Sequence, residues 1–454
     1  MLTNDRRYSS RWPLVLALLC SVVALPMSAL PVASARTAVA PQGQSILAAY
    51  RRRLAQVRRQ LPAITAAADA VAQRWVERKN VLIQVPMLGD STGFATETTF
   101  RAGGLDNVSL PYGPDRISAA NDVMVYAPRS WETGVEYLKG PLAENRQAGM
   151  LNIVFASKAG APADLPIDFL IDNGATGGGK NEAALNQIVN ITNGWLWSCE
   201  LTSALTRRGQ RPGILLGMTL PGSTANNKEY QIKPRALYPW DKPIAAGELA
   251  NAYLRGIDKV LSDLESRPHL QQFNRAVDLA VQRLRAGKDV WVASYTHALD
   301  TEALLDIKSP IKAFHGYSNN YKGELFAQNL KKGDLIFWFG EWTVNTPTLD
   351  YIDIIRKTGA DYIASYRPIR EPMEPMEGDK IFYDQKMDDA LMILEQRWPY
   401  ENAVVDIPFP PGKMAPVSGV YASLLYRMLD EAIASRVGAR QPVVAPAATA
   451  GAAR

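Results

Sequence analysis

The sequence predicts an α/β protein of two parallel-sheet, three-layer domains in tandem. Three observations carry that expectation. Short apolar runs alternate with helix-periodic stretches, the mark of strands buried on both faces. The same alternation returns in the second half of the chain. Hydrophobic residues make up 47% of 454, enough for more than one core.

The N-terminus reads as an address. Arg6, Arg7 and Arg11 lead into an apolar run from Trp12 to Leu30, and Ala33-Ser34-Ala35 follows as a cleavage site, with Ala38-Val39-Ala40 as a second. Basic, apolar, then small is the order of a secretory signal peptide. Residues 1–35 are therefore expected to direct export to the periplasm or beyond. The alternative is an N-terminal membrane anchor, which Pro26 and Pro31 disfavour. No later stretch is long and apolar enough to cross a bilayer.

The first unit is placed at 45–235. A helix-like stretch from Tyr50 to Trp75 leads to four strand candidates, Val81–Val85, Val123–Tyr126, Asn152–Phe155 and Phe169–Asp172. The second unit, 248–437, opens with a helix-like stretch at Tyr253 and offers Val290–Ala293, Leu335–Phe337 with Trp338, Tyr362–Ser365 and Ala403–Asp406. The third strand of each unit follows a helix ending in glycine, Gly149 and Gly359. A closing helix ends each unit. The alternative is one large α/β domain without a repeat. The Pro- and Glu-rich stretch Arg367–Pro375 is a loop, the linker is placed at 234–247, and the Ala/Pro-rich tail 438–454 is expected to be disordered.

Composition narrows the function. A net charge of +5 without a concentrated basic tract argues against a nucleic-acid partner. Two cysteines, Cys20 and Cys199, exclude a disulfide framework, and Cys199 sits in an apolar helix-like stretch that reads as core. Three histidines, His269, His297 and His315, lack metal-ligand spacing, so neither metal nor cofactor is expected. Gly174–Asn181 approaches a nucleotide-binding loop, but Asn181 replaces the Ser/Thr that would hold Mg²⁺. A glycine-rich anion- or sugar-contacting loop remains possible there. Asn107-Val108-Ser109 and Asn190-Ile191-Thr192 are glycosylation sequons by pattern.

One segment of the first unit carries a family resemblance. Gly89-Asp90-Ser91-Thr92, then Glu97, then Phe100-Arg101-Ala102-Gly103-Gly104-Leu105, resembles sugar isomerase (SIS) domains with Gly-His-Ser after strand one and Arg-Ala-Gly-Gly-Leu closing the next helix. Leu220-Pro221-Gly222-Ser223 with Asn226, Asn227 and Tyr230 is similar to a late loop of that subgroup, and Gly340-Glu341-Trp342-Thr343 to a Ser-Gly-Glu-Thr turn of other SIS domains. The resemblance implies flavodoxin-like five-stranded parallel sheets that bind phosphosugars at the carboxyl ends of their strands. It also implies an internal pseudo-dimer, because SIS domains associate in pairs.

Strand ends and helix N-termini present unpaired N–H groups that favour anions, and small hydroxyls add donors. The ligand-binding candidates are Asp90, Ser91, Thr92, Ser130 and Thr133 in the first unit, with Thr296, Asp300 and Thr343 in the second. Arg101, Arg129 and Lys180 are the cations that would balance a phosphate. Ordinary helix capping is the competing explanation for each hydroxyl. Aldose–ketose isomerisation needs an acid and a base, for which Glu97, His297 and Glu341 are the candidates. Glu97 also has a structural alternative, an ion pair with Arg101 at i+4. Asp90 stands where the subgroup has histidine, which favours a neutral or amino sugar over a phosphosugar. The expected function is binding of a sugar or phosphosugar, with isomerase-type activity open; the alternative is a non-catalytic exported solute- or partner-binding protein.

Overall fold

The computed structural model describes residues 44–79, 81–110, 123–176, 182–217, 220–232, 236–294, 299, 309–314, 324–340, 344–368, 381–382, 387–399 and 401–437. The leader and the tail lie outside them. Among the described residues no helix is long and apolar enough to cross a membrane.

The chain opens with α1 (Gln44–Arg78), then β1 (Ile83–Gln84), a 3₁₀ turn (Gly89–Ser91), α2 (Thr92–Thr98), β2 (Val108–Ser109) and β3 (Val123–Tyr126). It continues through α3 (Trp131–Gln147), β4 (Leu151–Ala156), β5 (Phe169–Asp172) and α4 (Glu182–Thr206). All pairings among β1 to β5 are parallel, and their order across the sheet is β2-β1-β3-β4-β5. A short antiparallel pair, β6 (Gln210–Arg211) and β7 (Tyr238–Pro239), frames α5 (Ser223–Ile232) and pins down the segment read as a linker.

The second half repeats the plan. After α6 (Glu248–Leu264) and α7 (Arg267–Arg285) come β8 (Val290–Ser294), β9 (Lys312–Phe314), α8 (Glu324–Asn329) and β10 (Leu335–Phe339). Then follow β11 (Val344–Asn345), α9 (Thr346–Thr358), β12 (Asp361–Ser365), β13 (Ile381–Phe382) and β14 (Met392–Ile393). The chain closes with β15 (Ala403–Asp406), β16 (Lys413–Pro416) and α10 (Ser418–Val437). The five-stranded sheet here is again all parallel, in the order β14-β12-β10-β8-β9. Read from its own first strand, that is 2-1-3-4-5, the flavodoxin-like order of the N-terminal sheet. Gly149 and Gly359, both at φ +73°, end α3 and α9 and release the chain into β4 and β12.

One strand assignment is corrected. Ala403–Asp406 is not the fourth strand of the second parallel sheet; it pairs antiparallel with β16 as a separate ribbon. The strand beside β12 is the shorter β14, whose flanks are held by Leu391 N–H to Tyr362 O (2.9 Å) and Leu394 N–H to Ala364 O (2.8 Å). Ala-Val-Val reads as the stronger strand on local content, but a strand's partner is set by tertiary packing. Val404 is claimed by Gly256 of α6, where a Cβ would fall 2.6 Å from Val404 Cγ2.

Strand residues alternate between two environments, as the period of two requires. Met124, Tyr126 and Val154 face Leu138 and Leu142 of α3, while Ile336 and Trp338 face Phe326 and Ile355 of α8 and α9. The opposite faces, Val123, Val125 and Ile153 of one sheet and Val292, Leu335 and Phe337 of the other, join a single core. Tyr50 and Trp75 of α1, Trp195 and Leu196 of α4, Tyr253 and Ile257 of α6, and Tyr421 and Leu425 of α10 fill it. Every residue of α4 from Ala184 to Thr206 is buried. The two halves therefore share one interior, and the segment 41–454 forms one compact unit. Both sequons are closed off: Asn107 is buried with its amide on Val81 O (3.2 Å), and Asn190 is buried on Pro128 O (3.2 Å).

Candidate functional site

In each sheet the chain leaves its first strand toward one neighbour and returns on the other side. The gap between β1 and β3, like that between β8 and β10, is therefore a topological switch point, where ligands of such sheets bind outside the carboxyl ends.

In the N-terminal half the two flanking loops are rich in small hydroxyls. The loop after β1 turns at Gly89, φ +54°, under the Tyr137 ring of α3; a Cβ at 89 would lie 2.3 Å from that ring. Ser91 follows, buried, its hydroxyl donating to Leu88 O at 2.7 Å. Thr92 opens α2, its hydroxyl turned back to Gly89 O at 3.4 Å. On the loop after β3, Ser130 is the extended N-cap of α3, accepting from the Thr133 N–H at 3.3 Å and lying 3.0 Å from Thr133 Oγ1. Each hydroxyl thus also holds its own turn or cap, which fixes the loop shape.

The indole N–H of Trp131 donates to Ser157 O at 2.6 Å, tying the loop after β3 to the one after β4. Arg129 is buried, with Nε on Ala183 O at 3.2 Å. The backbone of Asp90 belongs to the 3₁₀ turn. Its side chain lies outside the described residues, as do Thr296, His297, Asp300, Glu341, Thr343, Lys180 and Trp342.

Glu97 is fully buried against the C-terminal half. Its carboxylate lies 3.6 Å from Arg101 Nε, the i+4 pair that the spacing allows. Arg101 Nη2 donates to Ser418 Oγ at 2.8 Å, and Asn402 Nδ2 donates to the same hydroxyl at 2.7 Å. Asn402 Oδ1 in turn accepts the Ser418 N–H at 2.9 Å, capping α10. Glu97 and Arg101 are thereby built into the start of a helix more than 300 residues away in sequence.

The residues that sequence reasoning missed are the polar side chains of α4. Asn186 donates to Arg129 O (2.6 Å) and Asn190 to Pro128 O (3.2 Å), gripping the loop after β3. Asn173 Nδ2 donates to Asn190 Oδ1 (3.0 Å), which grips the end of β5. Their signal was present as amides at positions 186, 187, 190 and 193 of an otherwise apolar helix, one stripe at helical spacing. Gln187 belongs to this stripe, 1% exposed, and neither polar atom of its amide has a hydrogen-bond partner among the described residues. It presses on Gly93 in the first turn of α2, where a Cβ would fall 1.8 Å from Nε2.

Burial pushes the Cys199 thiol well above its ordinary range, which removes it as a nucleophile near neutral pH. Among the described residues, no group of three or more His, Cys, Asp or Glu side chains could hold a metal ion.

No family model matches the chain, and no curated protein matches it in sequence. Solved structures do resemble it. One is tagatose-6-phosphate ketose/aldose isomerase from Escherichia coli, at 10% identity over 88% of this chain and 93% of that one, TM-score 0.47. Another is the C-terminal domain of glucosamine-fructose-6-phosphate aminotransferase from Francisella tularensis, at 10% identity over 86% of this chain and 97% of that one, TM-score 0.44. The chain carries two five-stranded parallel sheets of the same flavodoxin-like order, one in each half. The two strand orders and their parallel registers establish the fold on their own.

Proposed function

We propose that this protein binds a carbohydrate derivative, a sugar or sugar phosphate, at the switch point of its N-terminal half. The observation that supports this most directly is the pair of loops there, with Ser91 and Thr92 on one and Ser130 and Thr133 on the other. Glycine and hydroxyl side chains leave room for a polyol and offer both donors and acceptors. The 17-residue α3 points its N-terminal N–H groups toward the same side, which favours an anionic group, while Glu132 in its first turn opposes one. A phosphosugar and an amino or neutral sugar are separated by the experiment below.

The corresponding loops of the C-terminal half carry Thr296, His297, Asp300, Glu341 and Thr343, and we assign them the same role in a second unit at 248–437, beside the first at 45–235. Within this reading the acid and base of an isomerase are sought among Glu97, His297 and Glu341. A second reading, binding without catalysis, is favoured by the ion pair that engages Glu97. The leader implies that the site works outside the cytoplasm. The tandem halves form an internal pseudo-dimer in this proposal, so light scattering of the purified chain is expected to report a monomer.

The test is a thermal-shift titration with glucose 6-phosphate, fructose 6-phosphate, glucosamine and glucose. A bound sugar raises the melting temperature by mass action. The shift is expected to disappear in Ser130→Ala/Thr133→Val. Shifts unchanged in that variant for every compound that gives one, or absent with all four, sink the proposal. A coupled assay of ketose formation on wild type and Glu97→Gln then separates catalysis from binding.

A further inference from the structure

A cavity of about 520 Å³ lies between the first turns of α1, the residues just after β5, the start of α4 and α10, and none of the four switch-point hydroxyls lines it. We infer that it is a second small-molecule site, taking a neutral polyhydroxylated compound such as a mono- or disaccharide. It also gives a role to Gly174 and Thr176, which the proposed function leaves unused.

The volume suits a small ligand rather than a trapped water, since ligand cavities run from roughly 300 to 1,000 Å³. The walls are charge-balanced. Arg53 is tied to Glu182 at 2.5 Å and to Asn173 O at 2.9 Å, so these two side chains already neutralise each other. That leaves Arg52 and Glu431 on the wall, one cation and one carboxylate. An anionic ligand would meet the Glu431 carboxylate and a cationic one the Arg52 guanidinium. A neutral ligand meets neither penalty.

The open valences point the same way. Gln56 Oε1 and Glu431 Oε2 are buried acceptors with no hydrogen-bond partner among the described residues, although the other carboxylate oxygen of Glu431 accepts from the Ser45 hydroxyl. Two unpartnered acceptors call for a ligand that brings donors, and each is costly to leave unmade. Arg52 supplies donors in return. Hydroxyl groups, which do both, fit this wall better than a carbonyl or an ether. Gly174, at φ +71°, lets the chain pass against Gln56, where a Cβ would fall 1.8 Å from Oε1. Ile46, Ala49 and Leu185 give the apolar patch on which the C–H face of a sugar ring can rest.

Saturation-transfer NMR on the full chain tests this, with N-acetylglucosamine and maltose as neutral probes, glucosamine as the cation and glucose 6-phosphate as the anion. Transfer to a neutral probe is expected, abolished by Ala49→Phe, which fills the cavity. Gln56→Leu should weaken it roughly tenfold by removing one acceptor. Ser130→Ala/Thr133→Val should leave it intact. Circular dichroism checks that Ala49→Phe is folded; if it is not, Gln56→Leu alone decides. Absence of transfer to both neutral probes overturns the site. So does transfer that survives Gln56→Leu undiminished, or that is lost in Ser130→Ala/Thr133→Val. A glucose 6-phosphate signal lost only in that last variant reports on the switch point and leaves the cavity to be judged by the neutral probes.

Discussion

Glu97 and Gly419 come from opposite halves of the chain and touch with no room for a side chain on residue 419. A Cβ there would fall 2.3 Å from the carboxyl carbon of Glu97 and 2.4 Å from each of its oxygens. Gly419 is the second residue of α10, and the carboxylate rests on its Cα while Arg101 bonds the neighbouring Ser418. Two contacts, the Arg101–Ser418 bridge and the glycine seat, bind the two halves at one point, and the Glu97–Arg101 ion pair links the two.

The sign of one substitution follows from that seat. At an open helical site Gly→Ala gains up to about 1 kcal/mol. Here Gly419→Ala is expected to lose about 1–3 kcal/mol, because the added methyl must displace a buried carboxylate. Urea unfolding of the variant measures it, and Glu97→Ala in the same background should recover part of the loss. A Gly419→Ala protein as stable as wild type contradicts the contact.

Gln187 offers the opposite case. Its buried amide makes no hydrogen bond, so the desolvation of both polar atoms is uncompensated. Gln187→Met keeps the length and removes the polar atoms, and should raise stability by about 1–3 kcal/mol. Gly93→Ala should be destabilising alone and tolerated better beside Gln187→Ala, since the clash is with the end of that side chain. Independent effects in the double-mutant cycle would refute the coupling.

Acid stability should carry the mark of His269. This imidazole is fully buried edge-on to Tyr421, with Arg397 acting on it, and burial lowers its pKa from 6.5 to about 4. The folded state therefore takes up the proton less readily than the unfolded chain. Its contribution is complete above pH 6.5 and lost as pH falls toward 4, roughly 3 kcal/mol in all. Asp263 and Glu200, whose carboxyls burial pushes up, act in the reverse sense as pH falls toward their ordinary values of 3.8 and 4.5. Asp389, held at about 2 by Arg356, loses its share only below its ordinary range. Unfolding free energy measured from pH 7 to 4 should fall less steeply in His269→Phe than in wild type; parallel curves would exclude this source.

Cys199 gives a simple probe of global opening. It is wholly buried in α4 and its thiol is held protonated by burial. In a Cys20→Ala chain, reaction with a thiol reagent at neutral pH should reach the global unfolding rate, independent of reagent concentration, once labelling outpaces reclosing. A rate proportional to reagent concentration in that regime would show local access instead.

Most of the sheet architecture was legible because strands buried on both faces must be apolar throughout, as Val123–Tyr126 and Leu335–Phe339 are. The two-residue ladders β2 and β14 were not, since Val108–Ser109 and Met392–Ile393 carry too little pattern to register. Ala403–Asp406 had the pattern and the wrong partner. The hydroxyls at the N-terminal switch point were legible from strand-then-Ser/Thr order alone. The α4 amides were not singled out, because an apolar helix 25 residues long reads as core and its polar stripe as incidental. Their acceptors, Pro128 and Arg129, lie 62 and 57 residues away, beyond any local pattern.

The shared interior also constrains how the chain matures. When α4, buried on every side in the finished protein, has emerged from a ribosome, α6 and α10, which cover part of it, have not been made. The first residue of α10 follows the last of α4 by about 210 positions, some 10–40 s of elongation at usual speeds. Throughout that interval α1 and α4 can pack on the N-terminal sheet, but the side of α4 that α6 and α10 cover stays open. An N-terminal half that folds as it emerges therefore carries an uncovered side of α4 until the last helix is made.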